Sequence, residues 1–272
     1  MGSKSSGSSA HSSGHFPSCS SKKEFPMKTK LQHWLVPLIL SAFAANTFCL
    51  HATTFTVATT NISGPGSLPV TIIQANSTPG RNQIKISVTN VITLGLPLPV
   101  ITNSVAISGV EAGPGVISGG GTLPLFTFAA GTTNSLANLV LANASTTGNG
   151  AAISNSSTLS VNSCIITNNS ADNGSGGAII NSGVMAITAS VISGNQAGTI
   201  NSGGAIMNSG DMAITSCVIS GNQAGTNGFG GAITSSGNLE ISLASHRVQN
   251  AGMTPHFPKE FSMFWRNPTK TV

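Results

Sequence analysis

The groups that could carry acid–base or nucleophilic chemistry in the middle of this chain are few. Between residues 53 and 244 they are four carboxylates (Glu111, Asp172, Asp211, Glu240), two thiols (Cys164, Cys217) and two cations (Arg81, Lys85), with no His. Cleaving a glycosidic bond needs two carboxylates facing each other across the bond. A calcium-assisted reaction needs clustered Asp around the ion. Here Asp172, Asp211 and Glu240 fall at different positions of the repeat described below, and within 53–244 no Lys, Arg or His is near them in sequence. Asp211 and Glu240 can approach across neighbouring units, but they flank Met212 and Leu239 at different positions. The turn Gly174-Ser175-Gly176-Gly177 lacks the Asp of a calcium-binding nonapeptide repeat. No Gly-x-Ser-x-Gly element with a His partner and no phosphate-binding loop with its Lys is present. The expectation is a chain with no catalytic centre, no cofactor and no metal site.

The elements that hold these residues follow from an internal repeat. Gly150-Ala151-Ala152-Ile153 returns as Gly176-Gly177-Ala178-Ile179, Gly203-Gly204-Ala205-Ile206 and Gly230-Gly231-Ala232-Ile233, at intervals of 26, 27 and 27 residues. In phase with it run Ile166-Thr-Asn-Asn169, Ile192-Ser-Gly-Asn195 and Ile219-Ser-Gly-Asn222, and the pairs Leu159/Val161, Met185/Ile187, Met212/Ile214 and Leu239/Ile241. A fixed period of this length marks a solenoid. Within each unit the apolar residues alternate in twos, the spacing of a strand, and Gly, Asn and Ser punctuate every few residues. No window shows a sustained helical stripe, which excludes helical repeats. The architecture expected is all-β: three short strands per coil, stacked in parallel as a right-handed, pectin-lyase-like β-helix. At about 27 residues per coil, 53–244 makes about seven coils, a rod of roughly 34 Å.

Stacking assigns roles to particular residues. Asn169, Asn195 and Asn222 should lie above one another at a turn, their amides hydrogen-bonding up the column. Ile153, Ile179, Ile206 and Ile233 should form one inward column, and Met185, Met212 and Leu239 another, packed as core. Gly177, Gly204 and Gly231 belong to the same structural set. Cys164 and Cys217 are two repeats apart with Ser190 at the matching place between them, so they should sit near 9–10 Å from each other, beyond disulfide reach. Thr188 and Thr215 should align with Ser160 and Ser242 beside them, a mixed row too irregular for an ice-binding face.

Charge separates the ends from the middle. The net +5 comes from the termini, while 53–244 carries two cations against four carboxylates, a net of −2. Phosphate binding needs clustered cations, so nucleic acid is excluded as a partner of this body. Residues 1–26 are a Ser-rich extension, and Met27 is the expected start. Over 27–52, Lys28 and Lys30 precede the apolar run Leu35–Ala45, with Leu50-His51-Ala52 as a small-residue cleavage site; this is the pattern of a signal peptide. The alternative, a membrane anchor, is disfavoured because a spanning helix needs about 20 apolar residues. Residues 53–122 are expected to be an N-terminal cap and irregular first coils, and 123–244 the regular coils. Residues 245–272 drop the repeat and bring in His246, Arg247, His256, Lys259, Trp265 and Arg266. Such a shift marks either a cap or a change of reading frame, of which the second is favoured.

The repeat markers resemble those of the chlamydial-type polymorphic outer membrane proteins, in which Phe-x-x-Asn alternates with Gly-Gly-Ala-Ile. Ile166, Ile192 and Ile219 stand where that family has Phe. Upstream, Thr54-Phe55-Thr56-Val57, Gly64-Pro65-Gly66-Ser67-Leu68, Ala75-Asn76 and Pro79-Gly80 resemble the first-coil segment of bacterial secreted β-helix proteins. There a short amphipathic helix follows, and Pro69 would make it start at or after that residue. The resemblance implies a surface-exposed or secreted autotransporter-type passenger concerned with adhesion, monomeric, and held at the outer membrane only through a barrel outside this chain. Three functions remain open: a non-catalytic adhesin-like passenger or stalk binding surface glycans or proteins, a polysaccharide lyase or hydrolase, and an inert spacer.

Overall fold

The computed structural model describes residues 52–110, 113–198 and 201–242. Its backbone follows the two-residue period of the sequence. In the strand Thr158–Asn162 the side chains of Leu159 and Val161 are buried, while Thr158, Ser160 and Asn162 face water. Strands of this kind build an eight-stranded sheet from Thr54–Val57 to Asn238–Ser242, a six-stranded sheet from Ile92–Thr93 to Val218–Ser220 and a five-stranded sheet from Phe126–Phe128 to Ile233–Ser235. Each strand pairs in parallel with the corresponding strand one coil away. The chain is a parallel β-solenoid of about 7 turns.

In-register pairing turns the alternating pattern into continuous columns. Phe55, Ile84, Ile107, Leu136, Val161, Ile187, Ile214 and Ile241 stack along the eight-stranded sheet. Ile117, Leu141, Ile166, Ile192 and Ile219 stack along the six-stranded sheet. Phe126, Ile153, Ile179, Ile206 and Ile233 close the third side. Leu159, Met185, Met212 and Leu239 share a further inward column. Burying such side chains stabilises each by about 1.5–3 kcal/mol. The columns meet inside the coils as one continuous hydrophobic core.

Three expectations need correction. Each middle coil has a fourth face, made of the two-residue strands Ser145–Thr146, Ser170–Ala171 and Gln196–Ala197. A run of two residues is too short to show a period, and only the buried Ala171 and Ala197 hint at it. The short helix implied by the resemblance is present but starts earlier, as Leu68–Ser77, with buried Leu68, Thr71, Ile72 and Ala75 at the i, i+3, i+4, i+7 spacing of one helical face. That stripe is too short to stand out from the sequence. The helix begins at Leu68, one residue before Pro69, because a first-turn Pro loses no intrahelical bond. It packs on the first coil, and its last carbonyls are held by Asn82 and Asn103, whose Nδ2 atoms both donate to Ala75 O and Thr78 O. Finally, Thr188 and Thr215 align with Asn162 and Ser242, while Ser160 falls in the neighbouring row with Ala186. The extension 1–26, the leader apart from Ala52, and the tail 245–272 lie outside the described residues.

The turns are held by two columns of Asn. At the first, the Oδ1 of Asn195 accepts the backbone N–H of Asn169 at 3.0 Å and its Nδ2 at 2.9 Å. The Nδ2 of Asn195 in turn donates to Ile166 O at 3.0 Å and to Asn222 Oδ1 at 2.9 Å. The residue before each ladder position is left-handed: Asn168 at φ 55°, Gly194 at 65° and Gly221 at 62°. That conformation explains why the repeat reads Thr-Asn-Asn in one coil and Ser-Gly-Asn in the next.

The second column was not anticipated. Asn155 Nδ2 donates to Asn181 Oδ1 at 2.7 Å, Asn181 Nδ2 to Asn208 Oδ1 at 2.8 Å, and Asn208 Nδ2 to Ser235 Oγ at 2.9 Å. Its signal was in the repeat all along, two residues after each Ile of the glycine tetrad. Among the described residues no buried side-chain nitrogen or oxygen lacks a hydrogen-bond partner. Replacing Asn195 or Asn181 with Leu strands buried partners in two adjacent coils, each costing about 1–3 kcal/mol. Both variants should lower unfolding stability by on the order of 3–5 kcal/mol, against roughly 0.5 kcal/mol or less for Ser160→Ala on the exposed face. Denaturant melts of the three variants check this, and equal midpoints would contradict the ladder.

Candidate functional site

The carboxylates do not converge. Asp211 and Glu240 lie on the outer face of the eight-stranded sheet, Asp211 opposite Asn238 and Glu240 opposite Ala213. Asn238 Nδ2 donates to Asp211 Oδ1 at 2.7 Å. Asp172 lies on a different side of the rod, just after the short strand Ser170–Ala171. Glu111 is outside the described residues. Among the described residues no three His, Cys, Asp or Glu come together as ligands, and no helix is long and apolar enough to cross a membrane.

The glycines of the tetrad are structural. A Cβ on Gly177 would run into the carbonyls of Gln196 and Gly204, and one on Gly204 into the carbonyl of Gly231. Successive coils touch there backbone to backbone, so only Gly fits. The neighbouring Ile153, Ile179 and Ile206 are fully buried, while Ile233 in the last described coil is half-buried.

The cysteines share one bonding role with Ser190. Cys164 Sγ donates to Asn162 O at 3.2 Å, Ser190 Oγ to Thr188 O at 2.8 Å, and Cys217 Sγ to Thr215 O at 3.2 Å. Each closes the same turn two residues back, and Ser190 Oγ also accepts the Cys164 backbone N–H at 3.1 Å. Both thiols are free and buried. Burial pushes the Cys164 thiol up from 9.0 to about 11, against weaker lowering by backbone hydrogen bonds near Leu139. The same cause raises Cys217. These thiols are packing groups, not nucleophiles.

A cavity with a polar lining lies on the fourth face. It is an open groove of about 250 Å³ lined by Ser170, Asp172, Gln196, Gly198, Gln223 and Thr226, among others. The elements that place these residues are the short strands: Ser145, Ser170 and Gln196 pair in register, and Gln223 bridges Gln196. Each directly follows a ladder position (Ala144, Asn169, Asn195, Asn222), which turns its own side chain outward as the ladder residue points in. Ser170 Oγ donates to Asp172 Oδ1 at 2.6 Å and Ser145 Oγ to Asp172 Oδ2 at 3.2 Å, so one carboxylate is oriented by two coils.

The loop beside the groove also absorbs the variation in coil length. Ladder hydrogen bonds span 25, 26 and 27 residues in successive coils, and the added residues fall between the ladder position and the next glycine pair. Sequence reading missed this row because its residue types change from Ser to Gln along it. The signal available was its fixed place after the ladder Asn. Chemically the groove offers hydroxyls, amides and one carboxylate, which suit hydrogen bonding to a polar ligand.

Comparison with protein-family models, curated proteins and solved structures finds no match to this chain.

The thiol environment sets a pH dependence. Because the folded pKa of Cys164 is above its unfolded value, its contribution to stability is intact below pH 9 and is lost as pH rises from 9 toward 11. Unfolding stability should fall over that window in the native chain and less in Cys164→Ser, which keeps the turn bond. Equal slopes in the two proteins would show that the thiol does not titrate as its burial implies.

Proposed function

We propose that this chain is a non-catalytic, exported or cell-surface β-solenoid: an adhesin-like passenger or stalk segment that binds surface glycans or neighbouring proteins. The observation that carries the reading is the groove on the fourth face, a row of outward polar side chains held at coil spacing by a buried Asn ladder. A rigid array of this kind binds through many weak hydrogen bonds, while its oriented carboxylate stands apart from the other two described carboxylates, which lie on a separate sheet. Glycoside hydrolysis requires two such groups across one bond.

Two further parts of the proposal rest on sequence. Export is supported by Lys28, Lys30 and the apolar run that follows them. Membership of the group of polymorphic outer membrane and autotransporter passengers is supported by the phased Gly-Gly-Ala-Ile and Ile-x-x-Asn tetrads. A right-handed, pectin-lyase-like winding is supported by the strong preference of parallel crossovers for that hand.

Binding and cleavage are separable by experiment. The labelled chain should be retained saturably on a glycan array or on cell surfaces, and prolonged incubation with polysaccharide should release no new reducing or unsaturated ends. Time-dependent release of such ends would replace the reading with an enzyme, and absence of any retention would leave a spacer.

A further inference from the structure

Resting on that binding reading, we infer that the groove around Asp172 is a subsite for one sugar unit of a neutral glycan, and that it discriminates against acidic glycans. The two oxygens of Asp172 each accept one hydroxyl from the protein, Ser170 on Oδ1 and Ser145 on Oδ2. A carboxylate oxygen accepts more than one hydrogen bond, so both keep acceptor capacity toward the groove, and their direction is set before a ligand arrives. Neighbouring sugar hydroxyls are the matching donors. The stacked amides of Gln196 and Gln223 stand one coil apart, and among the described residues neither side chain has a hydrogen-bond partner within the fold. Each amide can donate to and accept from a sugar hydroxyl or ring oxygen.

The floor is kept bare by Gly198, where a Cβ would run into the carbonyl of Asp172. No cation lines the groove, so a uronate, sialate or sulfate would meet Asp172 without a counter-charge. At about 250 Å³ the space is below the roughly 300–1,000 Å³ of sites that enclose a drug-sized ligand. It suits one unit of a chain running across the surface.

The test uses the full chain and immobilised oligosaccharides in matched neutral, sialylated and sulfated forms, with CaCl2 alone as a further probe. Neutral forms should be retained and acidic ones not. Asp172→Asn should weaken neutral binding at least tenfold, with the melting temperature unchanged because the side chain is exposed. Three results would overturn the inference: equal retention of acidic and neutral forms, neutral binding that survives Asp172→Asn, or Asp172-dependent calcium binding with no effect of the sugars. In each of these the broader reading as a binding surface could still hold. Failure of the native chain to be retained by any glycan or cell surface would remove both.

Discussion

Coil-on-coil registration is the constraint on which the rest of this molecule depends. A short strand in a solenoid finds no hydrogen-bond partner inside its own coil, so its backbone groups must be met by the same positions one coil away. Polar side chains that face inward are bound by the same condition. Asn satisfies it well, because one amide carries two donors and an acceptor and can accept from the coil on one side while donating to the coil on the other. Both Asn columns work in this way, and each side chain bonds to backbone as well as to the next amide. The hydrogen bonds thus lock the turns at fixed height while the aliphatic columns supply the bulk of the burial.

The same constraint accounts for residues that look unrelated. Gly177 and Gly204 are required because backbones from adjacent coils meet where a Cβ would stand. Cys164, Ser190 and Cys217 are interchangeable because each supplies a donor to the carbonyl two residues back in an equivalent turn. Ser163, Ala189 and Ser216 hold left-handed conformations in that turn, at φ 52°, 49° and 54°. An Ala there carries a steric cost of about 1–2 kcal/mol, which the surrounding registered strands offset.

Where registration relaxes, the surface becomes available for function. In the regular coils the stretch from the tetrad Gly to the ladder Asn keeps one length (150–169, 176–195, 203–222), whereas the loop after the fourth face lengthens as the coils advance. That loop borders the groove and contributes Gly225 and Thr226 to its lining. Between residues 53 and 244 the chain is nearly uncharged, and its outer faces present mainly hydroxyls and amides, with the described carboxylates set apart from one another.

The sequence by itself determined the solenoid, its period, the inward columns and the first Asn ladder, because each of those features repeats at the same offset and a repeat is visible without coordinates. That Asp172, Asp211 and Glu240 take different positions in the repeat was legible from the same offsets, whereas the bond from Asn238 to Asp211 was not. Three things were decided only by the tertiary structure. The second ladder, through Asn155, Asn181 and Asn208, needed the direction in which each side chain points. The helix Leu68–Ser77 was expected only through the resemblance of its segment, and the fold set its start and its buried face, because its four-residue stripe has no second copy to reinforce it. The groove joins Ser170, Asp172, Gln196 and Gln223, which come from three coils and differ in type. Their proximity exists only because backbone hydrogen bonds bring residues about 26 positions apart to within one strand spacing of each other.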